Sequence, residues 1–245
     1  MALVKDNTGN AIRFINCYNK IDSALRTQGD MKRSISYTEA VKRAARTNEI
    51  VRKYEDDLID YGRLRNAIVH NSDDNEVIAE PKTEVVENYE RITNLICTPP
   101  LAIDTVCNKN FYKIEYNEKI ADVMKLMYQN GVSNLPIYKN QMLIGVANAN
   151  KLTKLMGKKI YEKVDINNYI IETTIEESLK EMMFDNYYTI ADSKITLDKV
   201  LNLFTENRKL LIIIITKTGS LLESPIGIIS VGDIMDINKI LDNYV

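Results

Sequence analysis

The chain has a single histidine, His70, and only three cysteines, Cys17, Cys97 and Cys107, with no CxxC spacing. No zinc ligand set can be assembled from so few donors at familiar spacings, so a metal centre is not expected. An odd number of scattered cysteines makes no disulfide framework and points to reduced thiols in a cytoplasm. Charge of one sign is lacking too: 32 Lys and Arg stand against 34 Asp and Glu, a formal net charge of −2. No global field draws in nucleic acid, and any RNA contact must rest on a local patch. The best basic run, Lys32, Arg33, Lys42, Arg43, Arg46, Arg52 and Lys53, is followed closely by Glu55, Asp56, Asp57 and Asp60, a mixture that a solvated helix face explains at least as well. Long hydrophobic runs are absent. The densest, residues 210–215, is too short to span a bilayer and suits a buried strand. The first ten residues have no apolar core behind a basic start, so no secretory signal is expected there.

What remains is 245 residues of 45% hydrophobic and 27% charged content, the balance of a soluble globular protein with room for two domains. Over residues 10–27, Ile12, Ile15, Tyr18, Ile21 and Leu25 recur at helical steps and predict one amphipathic helix, with Gly29 just past its end. Ala40, Val41, Ala44, Ala45, Val51, Tyr54, Leu58, Leu64 and Ile68 keep a helical step up to His70, with a break offered at Thr47 and Asn48. The polar residues 71–75 end that run. Pro81 then opens a stretch striped by Val85, Tyr89, Ile92 and Ile96, which Pro99 and Pro100 stop. Residues 1–97 thus read as an antiparallel helical bundle, short of core by itself, which fits either completion of that core in a homodimer or a snug monomer.

One stretch of this bundle, GRLRNAIVHNS at residues 62–72, gathers a guanidinium, an amide and the only imidazole. Asn66 and His70 are four apart and share a helix face, while Arg65 lies about 100° round and can reach the same cleft. These groups supply a phosphate clamp, an orienting hydrogen bond and a proton carrier. The bare spacing is weak, and a histidine capping a helix end beside a surface arginine accounts for it too. In its helical setting the segment resembles the Arg-x4-6-His motif of the HEPN family, with Arg65, Asn66 and His70 matching position by position. That resemblance implies an all-α domain. It further implies that two protomers bring their motifs together to cut RNA without metal, through attack of the 2′-hydroxyl.

Beyond residue 98 the chain matches itself when slid by about 76 residues. Residues 110–114 answer residues 186–190, and a strand, helix, strand, strand, helix unit follows each. The unit's last strands are Leu143, Ile144, Gly145, Val146 and Ile226, Gly227, Ile228, Ile229. Two α/β copies are expected to bury their sheets together. Between them, residues 158–173 read as a linker and Thr174 with Glu177 as a capping box. The repeat resembles a pair of CBS motifs, a Bateman module, over residues 98–245, with the first motif at about 98–160 and the second at 174–245. Its strongest segment runs from Gly227 through Ser230 and Asp233, a strand-to-helix turn.

Free amides at that helix start attract phosphate, Ser230 can donate to it, and Asp233 can accept ribose hydroxyls. An ordinary capped helix start, with no ligand, reads the same way. The resemblance implies an adenine nucleotide (AMP, ADP or ATP) or a related ligand, with Asn110 and Asn186 approaching the bases and Ile228 packing on an adenine. In the first copy Asn148 stands for Ser230 and Lys151 for Asp233. A lysine cannot accept ribose hydroxyls, so one normal site is expected, or a first site handling more phosphate through Lys151.

The combined expectation is a multidomain protein: an N-terminal all-α, HEPN-like bundle and a C-terminal α/β tandem CBS pair. Its function would be metal-independent RNA cleavage by Arg65, Asn66 and His70, regulated by a nucleotide on the CBS pair, in a cytoplasmic homodimer serving stress response or defence. The alternative is a non-catalytic regulator whose bundle serves dimerisation or docking.

Overall fold

The computed structural model describes residues 9–70, 80–181 and 187–244, and of His70 only its place at a helix end. The chain divides into two compact units. One comprises Met1–Pro100 with Thr196–Asn202 and Asp236–Val245, the other Leu101–Ile195 with Leu203–Met235. No helix among the described residues is long and apolar enough to cross a membrane.

The N-terminal part of the first unit is helical: α1 (Asn10–Gln28), α2 (Tyr37–Ala44), α3 (Glu49–Lys53), α4 (Glu55–His70) and α5 (Thr83–Cys97). Side chains set the breaks. Ser36 caps α2 by accepting from the Glu39 N–H at 3.3 Å, and Asn48 caps α3 by accepting from the N–H groups of Ile50 and Val51. The buried stripe of α1 differs from the expected one. It is Ala11, Phe14, Cys17, Ile21 and Leu25, whereas Ile12 is 51% exposed. Small Ala11 and Cys17 let the neighbouring helices approach, and the rings of α4 and α5 close on Phe14 instead of Ile12. Tyr89 of α5 is fully buried, its ring 4.8 Å from that of Phe14 and 4.5 Å from that of Tyr61. Its hydroxyl shares a 3.4 Å hydrogen bond with that of Tyr37, so the buried phenols satisfy one another.

The second unit carries the repeat. Strands β1 (Ile114–Glu115), β2 (Asn134–Lys139) and β3 (Met142–Asn148) form one sheet in that order, with β1 parallel to β2 and β2 antiparallel to β3. Helix α6 (Ile120–Asn130) joins β1 to β2, and α7 (Ala149–Tyr161) follows β3. The residues expected to form a linker instead complete α7 and build α8 (Ile166–Glu172), because Asp165 caps α8 by accepting from the Asn168 N–H. Helix α9 (Ile175–Glu181) begins at Thr174, whose hydroxyl and N–H both donate to Glu177.

The second sheet repeats the first: β4 (Tyr188–Asp192) runs parallel to β5 (Ile212–Thr216), which is antiparallel to β6 (Gly227–Ser230). Helix α10 (Leu197–Glu206) joins β4 to β5, and α11 (Ile234–Asp242) follows β6 after a short turn. Both helices contribute residues to the two units. β5 is buried along its whole length, as a central strand must be. An apolar cluster of Tyr138, Leu143, Val146, Tyr187, Ile212 and Ile214 draws on both sheets and buries them together.

Between α7 and α9, the Glu181 carboxylate accepts from Lys159 at 2.6 Å and from the Tyr169 hydroxyl at 3.0 Å. The Lys159 hydrogen bond holds this carboxyl below the usual carboxylate range. A depressed folded pKa contributes stability that is complete above the unfolded pKa and lost as pH falls through the folded one. Melting curves of Glu181→Gln should therefore fall below wild type at neutral pH and converge with it only in acid below the usual carboxylate range.

Candidate functional site

The turn between β6 and α11 is where the nucleotide-binding expectation is concentrated. The Asp233 carboxylate folds back to accept from the Ser230 N–H at 2.6 Å and from the Ser230 hydroxyl at 2.9 Å. Val231 and Gly232 between them are exposed. The carboxylate therefore caps its own helix start while the turn stays open to solvent. Ile228, one strand residue before, is half-buried and packs on the cluster between the sheets.

The segment ahead of β1 does not stay beside its own sheet. Asn108 and Ile228 exchange backbone hydrogen bonds of 2.9 and 3.0 Å, which brings residues 107–109 to β6 of the second motif. The Cys107 thiol is pushed up to about 11, chiefly by burial; the Lys109 ammonium opposes that rise and the Asp233 carboxylate adds to it, so both charges act on one sulfur. Asn110, expected near a base, is exposed and donates its N–H to the Asn108 side chain at 2.9 Å. Asn108 and Lys109 were missed as site residues, because the sequence repeat begins at Asn110. The polar run NKN at residues 108–110 just before a strand was the available signal. Asn186 lies outside the described residues.

At the equivalent end of the first motif, Asn148 is 3% exposed and caps α7 by accepting from the Lys151 N–H at 3.1 Å. Its amide donates to Asn134 at 2.8 Å. The Lys151 ammonium lies 5.3 Å from the centre of the Tyr187 ring, and the Tyr187 hydroxyl donates to the Val146 carbonyl. A cation over a ring face contributes about 0.5–2 kcal/mol, increasing with burial. The two halves therefore present different chemistry at matching ends: an exposed Ser–Asp turn, and an Asn-capped helix start whose Lys151 faces the Tyr187 ring.

In the helical unit, Arg65 and Asn66 are brought together and His70 stands one turn further along α4. The Arg65 guanidinium stacks over the Tyr18 ring at 5.0 Å and donates through Nη1 to the Asn66 side chain at 3.3 Å. Its Nε is buried with no hydrogen-bond partner. Asn66 is exposed, and the His70 side chain lies outside the described residues. Among those described, no group of three or more His, Cys, Asp and Glu side chains could hold a metal ion. A cavity of about 440 Å³ in this unit is lined by Gln28, Asp30, Lys32 and Arg43 among others, and by none of these three residues.

With this geometry in view, the comparisons are informative for one motif. Residues 103–158 match the family model of the CBS domain. Comparison with curated proteins finds no match. Among similar solved structures is a signal-transduction protein with CBS domains from Burkholderia ambifaria, at 20% identity over 56% of this chain and 88% of that one, with a TM-score of 0.42. Another is the CBS domain pair of protein MJ0100 in complex with methylthioadenosine and S-adenosyl-L-methionine, at 16% identity over 58% and 97%, with a TM-score of 0.44. A third, an acetoin utilization protein from Vibrio cholerae, has 16% identity over 58% and 93%, with a TM-score of 0.45. These likenesses are too distant to transfer a function. The second motif follows from the chain itself, since β4–β6 repeat the order and directions of β1–β3.

The glycine ahead of each turn gives an unequal pair. A Cβ at Gly227 would lie 2.1 Å from the Cys107 sulfur and 3.2 Å from the Asn108 carbonyl oxygen, whereas one at Gly145 would meet only the tip of Leu179 at 3.0 Å. Gly227→Ala is therefore expected to lower stability by about 1–3 kcal/mol through overpacking, and Gly145→Ala by less, as measured by urea denaturation.

Proposed function

We propose that the second unit is an adenine-nucleotide sensor whose ligand sits at the Ser230–Asp233 turn. The observation that carries this reading is the exposed turn between β6 and α11, where the Asp233 carboxylate holds Ser230, on the same strand to which Asn108 pairs. The exposed Gly232 at the turn suits close approach of a phosphate, the Ser230 hydroxyl suits its oxygens, and Asp233 suits ribose hydroxyls once it leaves Ser230. Binding exchanges the Asp233 cap for ligand contacts, and α11 continues from that turn into residues of the helical unit, where the Leu241 carbonyl accepts from Arg91 at 3.0 Å. A ligand biases the chain only by binding two arrangements with different affinity. The helical unit is then the output, as a homodimer or as a docking surface for a partner.

A second reading gives that output a chemistry, a HEPN-type ribonuclease. It is favoured by the Arg65 guanidinium, held by Tyr18 and Asn66 with its Nε unpartnered, one and a half turns from the only imidazole in the chain. In a dimer that pairs two such segments, His70 would move a proton from the 2′-hydroxyl of RNA. Arg65 would stabilise charge on the phosphorane, and Asn66 would orient its neighbours.

Thermal shift assays with AMP, ADP, ATP and S-adenosylmethionine test the sensor: at 100 times Kd the stabilisation is about 2.7 kcal/mol, and Asp233→Ala should abolish it. Silence with every ligand, or a shift that survives Asp233→Ala, removes the site. Incubation with RNA in chelator separates the two outputs. Cleavage leaving cyclic phosphate ends, lost in His70→Ala and Arg65→Ala and retained in Cys17→Ala, supports the nuclease. Intact RNA with every nucleotide added leaves the non-catalytic regulator.

A further inference from the structure

We infer that the first motif's counterpart of the Ser230–Asp233 site is closed from within by Tyr187, so that each chain takes one nucleotide and not two. This rests on the sensor reading. The internal repeat maps residues 145–148 onto residues 227–230, the start of α7 onto the start of α11, and the segment ahead of β4 onto the segment ahead of β1. In the second motif, the crossing segment meets β6 through its backbone: the Ile228 carbonyl accepts from the Asn108 N–H, and the turn beyond stays exposed. In the first motif, the matching carbonyl of Val146 accepts from a side chain, the Tyr187 hydroxyl.

The Tyr187 residue is 6% exposed, its ring packed against the edge of Tyr188 at 5.6 Å and faced by the Lys151 ammonium at 5.3 Å. A flat ring, a hydrogen bond to a strand carbonyl and a cation at the helix start are the contacts a purine nucleotide would make there. Tyr187 makes all three within the chain. The capping oxygen of Asn148 is likewise engaged by the Lys151 N–H. Displacing this arrangement requires a ligand to break the hydroxyl bond and to re-expose an aromatic ring, neither of which the Ser230–Asp233 turn demands. Lys151 therefore serves the closure of the first motif and not a phosphate.

Isothermal titration calorimetry of the full chain with AMP, and separately with ATP, decides the matter. The expected count is one nucleotide per wild-type chain, none in Asp233→Ala and one in Tyr187→Phe, which keeps the ring. Tyr187→Ala should raise the count to two, and Tyr187→Ala combined with Asp233→Ala should return it to one. Two nucleotides per wild-type chain, or a binding event that survives Asp233→Ala and disappears in Lys151→Ala, overturns the closure while leaving the sensor. A folded Tyr187→Ala that still binds one also overturns it; should that variant fail to fold, the counts for wild type and Asp233→Ala decide. Silence of the wild type towards both probes removes the sensor reading, and the closure with it.

Discussion

The two backbone hydrogen bonds between Asn108 and Ile228 join the two motifs of the second unit. They tie the chain ahead of the first motif to the last strand of the second, over a separation of 120 residues in sequence. With Asn108 exposed, each of these bonds contributes a net of about 0.5–1.5 kcal/mol. The tie also decides what the β6 turn is made of. It seats the Cys107 sulfur against Gly227, where no side chain fits, and brings Lys109 and Asp233 within electrostatic reach of one another's surroundings. The crossing sets a second polar segment, through Asn108, on the strand that leads into the Ser230–Asp233 turn.

A comparable dependence runs through the helical unit. A Cβ at Gly62 would lie 2.8 Å from the Tyr37 ring, so glycine there is what lets α4 and α2 approach. Tyr37 in turn stacks on Tyr18 at 4.4 Å, and Tyr18 supports the Arg65 guanidinium. The Arg65 guanidinium is thus supported by two stacked rings, Tyr18 and Tyr37, whose approach to α4 depends on Gly62 three residues before it. The two units share one feature: a glycine, Gly62 or Gly227, permits an approach that a side chain would block.

Much of this was legible in the sequence, for reasons that differ by element. The strands of the repeat were readable because short apolar runs ahead of Asn148 and Ser230 have nowhere to go but a buried sheet. Asn48 was readable as a break, since an asparagine side chain competes for the backbone at a helix start. The face of α1 was misjudged. Helical periodicity ranks Ile12 with Ile15 and Tyr18, yet the stripe that packs is set by where Tyr61 and Tyr89 bring their rings. Helix α8 reads as linker in the sequence because it is short and none of its residues is fully buried, and its cap at Asp165 is the stronger signal. The crossing of residues 107–109 left no periodic trace, because a single backbone bridge asks nothing of side-chain hydropathy.

The sequence by itself determined the two kinds of architecture, the doubling of the strand pattern and the chemical inequality of its two turns, Ser–Asp against Asn–Lys. These are local properties, written in hydrophobic period and in the identity of a few capping residues. The tertiary structure alone decided that Asn108 pairs with β6 of the second motif, that the Tyr187 hydroxyl donates to Val146 of the first, and that Arg65 rests on Tyr18. Those outcomes depend on which surfaces meet when two sheets or several helices bury each other, and contact between residues far apart in the chain is not encoded at either of them singly.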